Sequence, residues 1–144
     1  MSFSIRTVAT DHEPVRKAVL DALIEFNDTK AGSGGYRSLA LAVEDERGQV
    51  IGGLTGATQY GWLFVELLFV PDSLRGRGIG TELMRRAEAE AVARGCHGVW
   101  LDTFEFQARG FYERLGYTCF GELNHYPAGP RYFMNKQLKP LQGG

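Results

Sequence analysis

A chain of 144 residues with 44% apolar and 23% charged residues has the size and make-up of one globular domain able to bury a core. Its net charge of −1, with acids and bases interleaved, excludes the basic excess of a nucleic-acid footprint. No apolar run approaches the ~18 residues a membrane span requires, and the opening MSFSIRTVAT lacks the apolar core of a signal peptide. Neither nucleic acid nor membrane is therefore an expected partner.

Phe3–Val8 alternates well enough for a first strand. Thr10 or Asp11 can then cap a helix, with Glu13 supporting the cap and Pro14 in the tolerated first turn. Val15, Ala18, Val19, Ala22, Leu23 and Phe26 form its apolar stripe. Asn27–Gly35 reads as a break. Arg37–Glu44 is a strand, Asp45–Gly48 a hairpin turn, and Gln49–Gln59 a strand whose glycines suggest close backbone approach. Tyr60-Gly61 turns the chain into the strand Trp62–Val70. The first half is thus a meander of hairpins.

Pro71 ends that strand, and Arg75-Gly76-Arg77-Gly78-Ile79-Gly80 leads into a helix with Ile79, Leu83, Met84, Ala87 and Ala91 on one side, ending near Gly95. Val99-Trp100-Leu101 is a short buried strand ending at Asp102-Thr103. A strand–helix–strand unit of this length sets its two strands parallel. Gln107–Leu115 is a short helix closed by Gly116, followed by strands Tyr117–Leu123 and Arg131–Leu138, which could pair across a homodimer. Asn124–Pro130 is an irregular connection. Cys96 and Cys119 lie in apolar settings without metal-ligand spacing, so both are expected as buried free thiols in a reducing cytoplasm, with no metal site. No linker interrupts the chain, so 1–144 reads as a single domain with a loose tail at Gln142–Gly144.

Strand, glycine-rich turn and helix N-terminus together hold phosphate: unpaired N–H groups and the positive end of the helix dipole converge there. Arg75 and Arg77 add forked cationic donors. Several readings compete for this turn. A P-loop needs a lysine before Thr81, which is Gly80 here. A dinucleotide fingerprint needs GxGxxG and a long succession of βα units, whereas the glycines run GxGxG and only 64 residues follow Gly80. A plain turn would hardly collect two arginines beside three glycines.

The third ligand reading comes from resemblance. Arg75–Gly80 fits the Arg/Gln-x-x-Gly-x-Gly/Ala motif of the GNAT superfamily of N-acetyltransferases, and Ala108–Tyr117, ARGFYERLGY, resembles the family's A-x-x-F-Y-x-x-x-G-[FY] segment at the expected separation. The order of elements is similar along nearly the whole chain. The resemblance implies a single-domain α/β fold: a mixed, mostly antiparallel, splayed sheet of about six to seven strands flanked by about four helices. It implies acetyl-CoA as cosubstrate, with the pyrophosphate held by Arg75, Gly76, Arg77, Gly78, Ile79, Gly80 and Thr81. The backbone of Leu68, Phe69 and Val70 would bind the pantetheine arm and polarise the thioester carbonyl, as an oxyanion hole does.

The same resemblance assigns Tyr112 to the leaving thiolate as general acid, and Glu66 to deprotonation of a primary amine on a small molecule attacking directly in a ternary complex. Glu66 stands nine residues before Arg75, where polyamine acetyltransferases of this family carry a glutamate. Asp102, His125, Tyr126, Arg131 and Tyr132 fall where the acceptor pocket often forms. One departure counts: Glu105 occupies the place of an asparagine that commonly helps hold coenzyme A, and Gln107 could substitute. The same cradle would also serve a non-catalytic acyl-CoA sensor or interaction module.

Overall fold

The computed structural model describes residues 1–105, 107–124, 127 and 129–139, and divides into two units, Met1–Gly34 and Gly35–Gly144. In the first unit, α1 (Glu13–Ala31) begins after His12, with Pro14 in its first turn. No side chain caps its start, so the expected caps at Thr10 or Asp11 do not form; Asp11 takes φ 55° instead, and His12 Nε2 lies 2.8 Å from the Val8 carbonyl. The helix runs through the expected break at Asn27 and stops at Gly32, whose φ of 77° ends the helical backbone. Thr29 is accommodated within it, its hydroxyl donating back to the Phe26 carbonyl at 2.8 Å. The expected strand at Phe3–Val8 is absent. Alternation defines two faces, but a strand also needs a neighbour's hydrogen bonds, and every strand of the sheet comes from after Gly35.

The second unit is one six-stranded sheet: β1 (Arg37–Glu44), β2 (Val50–Gln59), β3 (Trp62–Phe69), β4 (Gly98–Phe104), β5 (Thr118–Leu123) and β6 (Arg131–Gln137), in the order β1-β2-β3-β4-β6-β5. Among the described residues only β3 and β4 run parallel, joined by the crossover helix α2 (Ile79–Ala93). A 3-10 turn at Asp72–Leu74 precedes α2, and α3 (Arg109–Arg114) follows β4. The described residues thus hold three α-helices and one 3-10 turn rather than four helices.

Leu83, Met84, Ala87 and Ala91 of α2 bury against Leu54, Leu63, Val65, Val99, Leu101 and Met134 of the sheet. Each fully buried aliphatic side chain contributes roughly 1.5–3 kcal/mol by removal from water. Gly56 is needed where β2 meets β3, since a Cβ there would lie 2.2 Å from the Phe64 carbonyl oxygen. Arg94 clamps the far end of α2. Its Nη1 donates to the carbonyls of Arg37 and Ser38 and to Thr58 Oγ1 at 3.0–3.2 Å, while Nε donates to Glu90. Cys96 is buried as expected, and burial pushes its thiol pKa up. Cys119 is exposed, contrary to expectation, because β5 is an edge strand.

Candidate functional site

The parallel pairing of β3 and β4 runs from Trp62–Gly98 to Val65–Leu101 and stops. Beyond it, β3 stays on β2 while β4 stays on β6 as far as Phe104–Arg131, so the two strands diverge. The cause is local. Gly56 pairs with Val65 and Thr55 with Leu67, which leaves Glu66 as an extra residue in β3. Such a bulge bends its strand and sharpens its twist. A cleft of about 940 Å³ opens between the arms, lined on one by Glu66, Leu67, Leu68, Phe69 and Val70 and on the other by Leu101, Asp102, Thr103 and Phe104. Successive β4 residues face opposite sides of the sheet, so a cleft lined by all four passes through its plane.

The floor is the turn into α2. Gly76 and Gly78 take φ of 80° and 74°, which a side chain would oppose. Gly80 serves a different end: a Cβ there would lie 3.3 Å from Phe111 Cζ and 3.9 Å from Val70 Cγ2, narrowing the fork at its base. The first helical bond runs from the Glu82 N–H to the Gly78 carbonyl at 3.0 Å, so the N–H groups of Gly78, Ile79, Gly80 and Thr81 precede the helical ladder. Arg75, Gly78, Gly80 and Thr81 line the cleft, whereas Gly76, Arg77 and Ile79 do not. Ile79 packs against the core instead. Arg75 also braces the turn, donating from Nε to the Val70 carbonyl at 3.2 Å and pairing with Asp72.

Tyr112 reaches the cleft from α3 and is buried, its ring edge-on to Phe111 and to Tyr117. Burial, and then the charge of Asp102, push its pKa up to about 12, so the phenol keeps its proton across the physiological range. Tyr117 donates to Glu88 at 2.8 Å, and Lys136 donates to the other oxygen of Glu88, tying α2 to the segment after α3 and to β6. Burial and Glu88 raise the Tyr117 pKa strongly.

Glu66 is exposed at the bulge. Asp102 and Arg131 also line the cleft and are joined by an ion pair. Tyr132 is buried with Arg109 stacked 4.1 Å from its ring centroid, and is not a cleft residue. His125 and Tyr126 lie outside the described residues, as does the tail from Gln142. Glu105 turns away: its carboxylate lies beside Gly129, and it does not line the cleft. Gln107 does, but its Oε1 accepts from the Phe104 N–H at 2.8 Å and caps the end of β4. Sequence reasoning did not single out Phe64, Leu74, Ala108 or Phe111 as lining residues. Phe111 was readable, standing beside Tyr112 in the same motif; Phe64 carried no signal beyond strand alternation. Among the described residues, no group of His, Cys, Asp and Glu is placed to hold a metal ion.

A forked pair of parallel strands above a glycine-rich helix N-terminus agrees with what comparison with known proteins finds. The model of the acetyltransferase (GNAT) family matches residues 7–117, and the chain belongs to that family. It is 41% identical over 129 residues to the acetyltransferase Atu2258 of Agrobacterium fabrum, covering 90% of this chain and 93% of that one. It is 47% identical over 85 residues to the blasticidin-S acetyltransferase of Streptomyces morookaense, covering 58% of this chain and 62% of that protein. A solved Agrobacterium tumefaciens chain assigned to the acetyltransferases superposes with a TM-score of 0.82 at 37% identity, covering 96% of this chain and all of that one. The mixed α/β fold expected from the sequence is the one observed.

Proposed function

We propose that this acetyltransferase moves the acetyl group of acetyl-CoA to a primary amine of a small molecule by direct attack in a ternary complex, in the cytoplasm. The observation that carries the reading is the parting of β3 and β4 after Val65–Leu101, in a cleft also lined by the turn whose N–H groups precede the helical ladder of α2. The residues fit the cosubstrate: Gly80 keeps the base of the fork clear of a Cβ, and the turn presents donors to a diphosphate. Similarity to a blasticidin-S acetyltransferase supports a small-molecule acceptor.

Acetyl-CoA supplies the activated acyl carbon and a thiolate leaving group. The N–H groups of Gly78, Gly80 and Thr81, with Arg75, line the cleft and hold the diphosphate, while Gly76, Arg77 and Ile79 shape the turn around them. The edge of Leu68–Val70 facing the split hydrogen-bonds the amide-bearing arm and places a donor at the acyl oxygen. Glu66 takes a proton from the acceptor, because reaching the free amine from an ammonium of pKa near 10.4 at neutral pH costs about 4–5 kcal/mol. Tyr112 holds a proton at its hydroxyl for the departing sulfur. The test is a thiol-release screen of small amines with acetyl-CoA, alongside thermal unfolding with and without it. Thiol release with an acetylated product is expected. Stabilisation by acetyl-CoA with no thiol released by any amine would identify a non-catalytic sensor instead.

A further inference from the structure

Had the pairing of β3 and β4 continued one step past Val65–Leu101, it would have matched Glu66 with Asp102. The fork therefore opens with one carboxylate at the root of each arm, and both line the cleft. Glu66 is exposed and has no ion pair among the described residues. Asp102 is mostly buried, its side chain 21% exposed, and is anchored through one oxygen: Oδ1 accepts from Arg131 Nε at 3.0 Å and Nη2 at 2.9 Å. Its Oδ2 receives no donor among the described residues. The guanidinium lies 5.5 Å from the ring centroids of both Phe104 and Phe133, and its Nε and Nη2 are committed to Asp102. Beside the carboxylates, Phe64 lines the cleft with Trp100 stacked on it at 4.3 Å.

We propose that Asp102 is a specificity-determining residue of the acceptor site: with Glu66 it brackets the acceptor's ammonium, so the acceptor is a small cationic amine with no carboxylate beside the reacting nitrogen and an apolar or flat flank against Phe64. This rests on the transfer reading above. A carboxylate next to the amine would be driven between two like charges in a partly desolvated cleft, where such repulsion is least screened. Arg131 does not reverse this, because its Nε and Nη2 are held on Asp102 and its one positive charge is offset there, which leaves Glu66 uncompensated in the cleft. Asp102 and Tyr112 both line the cleft, and the charge of Asp102 is felt at the proton-bearing phenol.

Amines and their carboxylated counterparts provide the test: tryptamine against tryptophan, tyramine against tyrosine, and agmatine against arginine, each with acetyl-CoA and the intact chain. The decarboxylated partner is expected to have a kcat/KM at least tenfold higher. Asp102→Asn should shrink that ratio several-fold, mainly through KM of the amine, and Asp102→Glu should keep it. Because the ratio compares two substrates on one protein preparation, loss of folded enzyme does not move it. Equal rates within pairs, preference for the amino acids, or a ratio unmoved by Asp102→Asn would overturn the proposal and leave the transfer reading standing. Absence of thiol release from every compound would overturn both.

Discussion

The two halves of the same strand pair do opposite work. Where β3 and β4 are joined, Leu63, Val65, Val99 and Leu101 are 0–4% exposed and form the centre of the core. Immediately beyond Val65, the same strands are parted, Glu66, Leu67 and Phe69 are exposed, and the backbone edges between the arms face a cleft instead of each other. An unpaired strand edge is a liability unless something else occupies it. Here the parted half gives up ladder hydrogen bonds, and the paired half, with α2 and Arg94 behind it, supplies the stability that permits this. Changes in the joined half should move stability, and changes in the parted half should move chemistry.

The largest effect should come from the cleft that the parted half opens, at Tyr112 of α3. Tyr112→Phe is expected to lower kcat by about 10²–10³, in the range of a lost general acid, while acetyl-CoA still raises the unfolding temperature. Unchanged turnover in a rapid thiol assay would remove Tyr112 from the chemistry. In the joined half, Leu63→Ala should cost about 3 kcal/mol in urea unfolding, the usual result of emptying a fully buried leucine site, with KM for acetyl-CoA nearly unchanged in the folded fraction. A large change in KM without loss of stability would break the division.

Tyr112 links the halves through pH. Its pKa is raised from 10 to about 12 on folding. Below pH 10 both folded and unfolded chains hold the proton; between pH 10 and 12 only the unfolded chain loses it. Stability is therefore complete at lower pH and falls across that window, by roughly 2–3 kcal/mol from this group. Tyr117, raised by burial and by Glu88, adds loss of the same sign. Urea midpoints at pH 8 and 11 should show the drop, and Tyr112→Phe should make it smaller; an equal drop in the variant would mean that Tyr112 does not titrate differently on folding.

Most of this division is written in local sequence. The strands β1 to β6, the crossover helix and the turn glycines follow from alternation, helical spacing and Gly/Pro punctuation, because each is decided within a few residues. The fork itself is less local. It depends on Glu66 being the unmatched residue of a bulge, which is a matter of register between β2 and β3 and leaves no mark in composition. Resemblance to a family supplied it in advance. The N-terminal segment shows the same limit from the other side: Phe3–Val8 has a strand's pattern without a strand's partner, and Asn27–Ala31 has the small polar residues of a break yet continues the helix, with the Thr29 hydroxyl bonded back to the Phe26 carbonyl. Cys119 looked buried because its neighbours are apolar, but burial depends on which strand ends at the sheet edge.

The smallest expected effect concerns Glu66. Its replacement by glutamine keeps the bulge, the size and the exposure but removes the ability to accept a proton. If Glu66 lowers the barrier to the free amine, Glu66→Gln should cost about tenfold in kcat/KM for the amine at pH 7, where nearly every acceptor molecule is protonated. The deficit should shrink as pH approaches 10, because the amine then sheds its proton to solvent without help. A pH–rate profile of both enzymes with one amine separates the alternatives: a gap that closes at alkaline pH supports proton acceptance, and a constant gap means that Glu66 only positions the substrate. That outcome would put the carboxylate of β3 in the same class as Asp102 on β4, two charges that choose the acceptor, and leave deprotonation to water in the cleft.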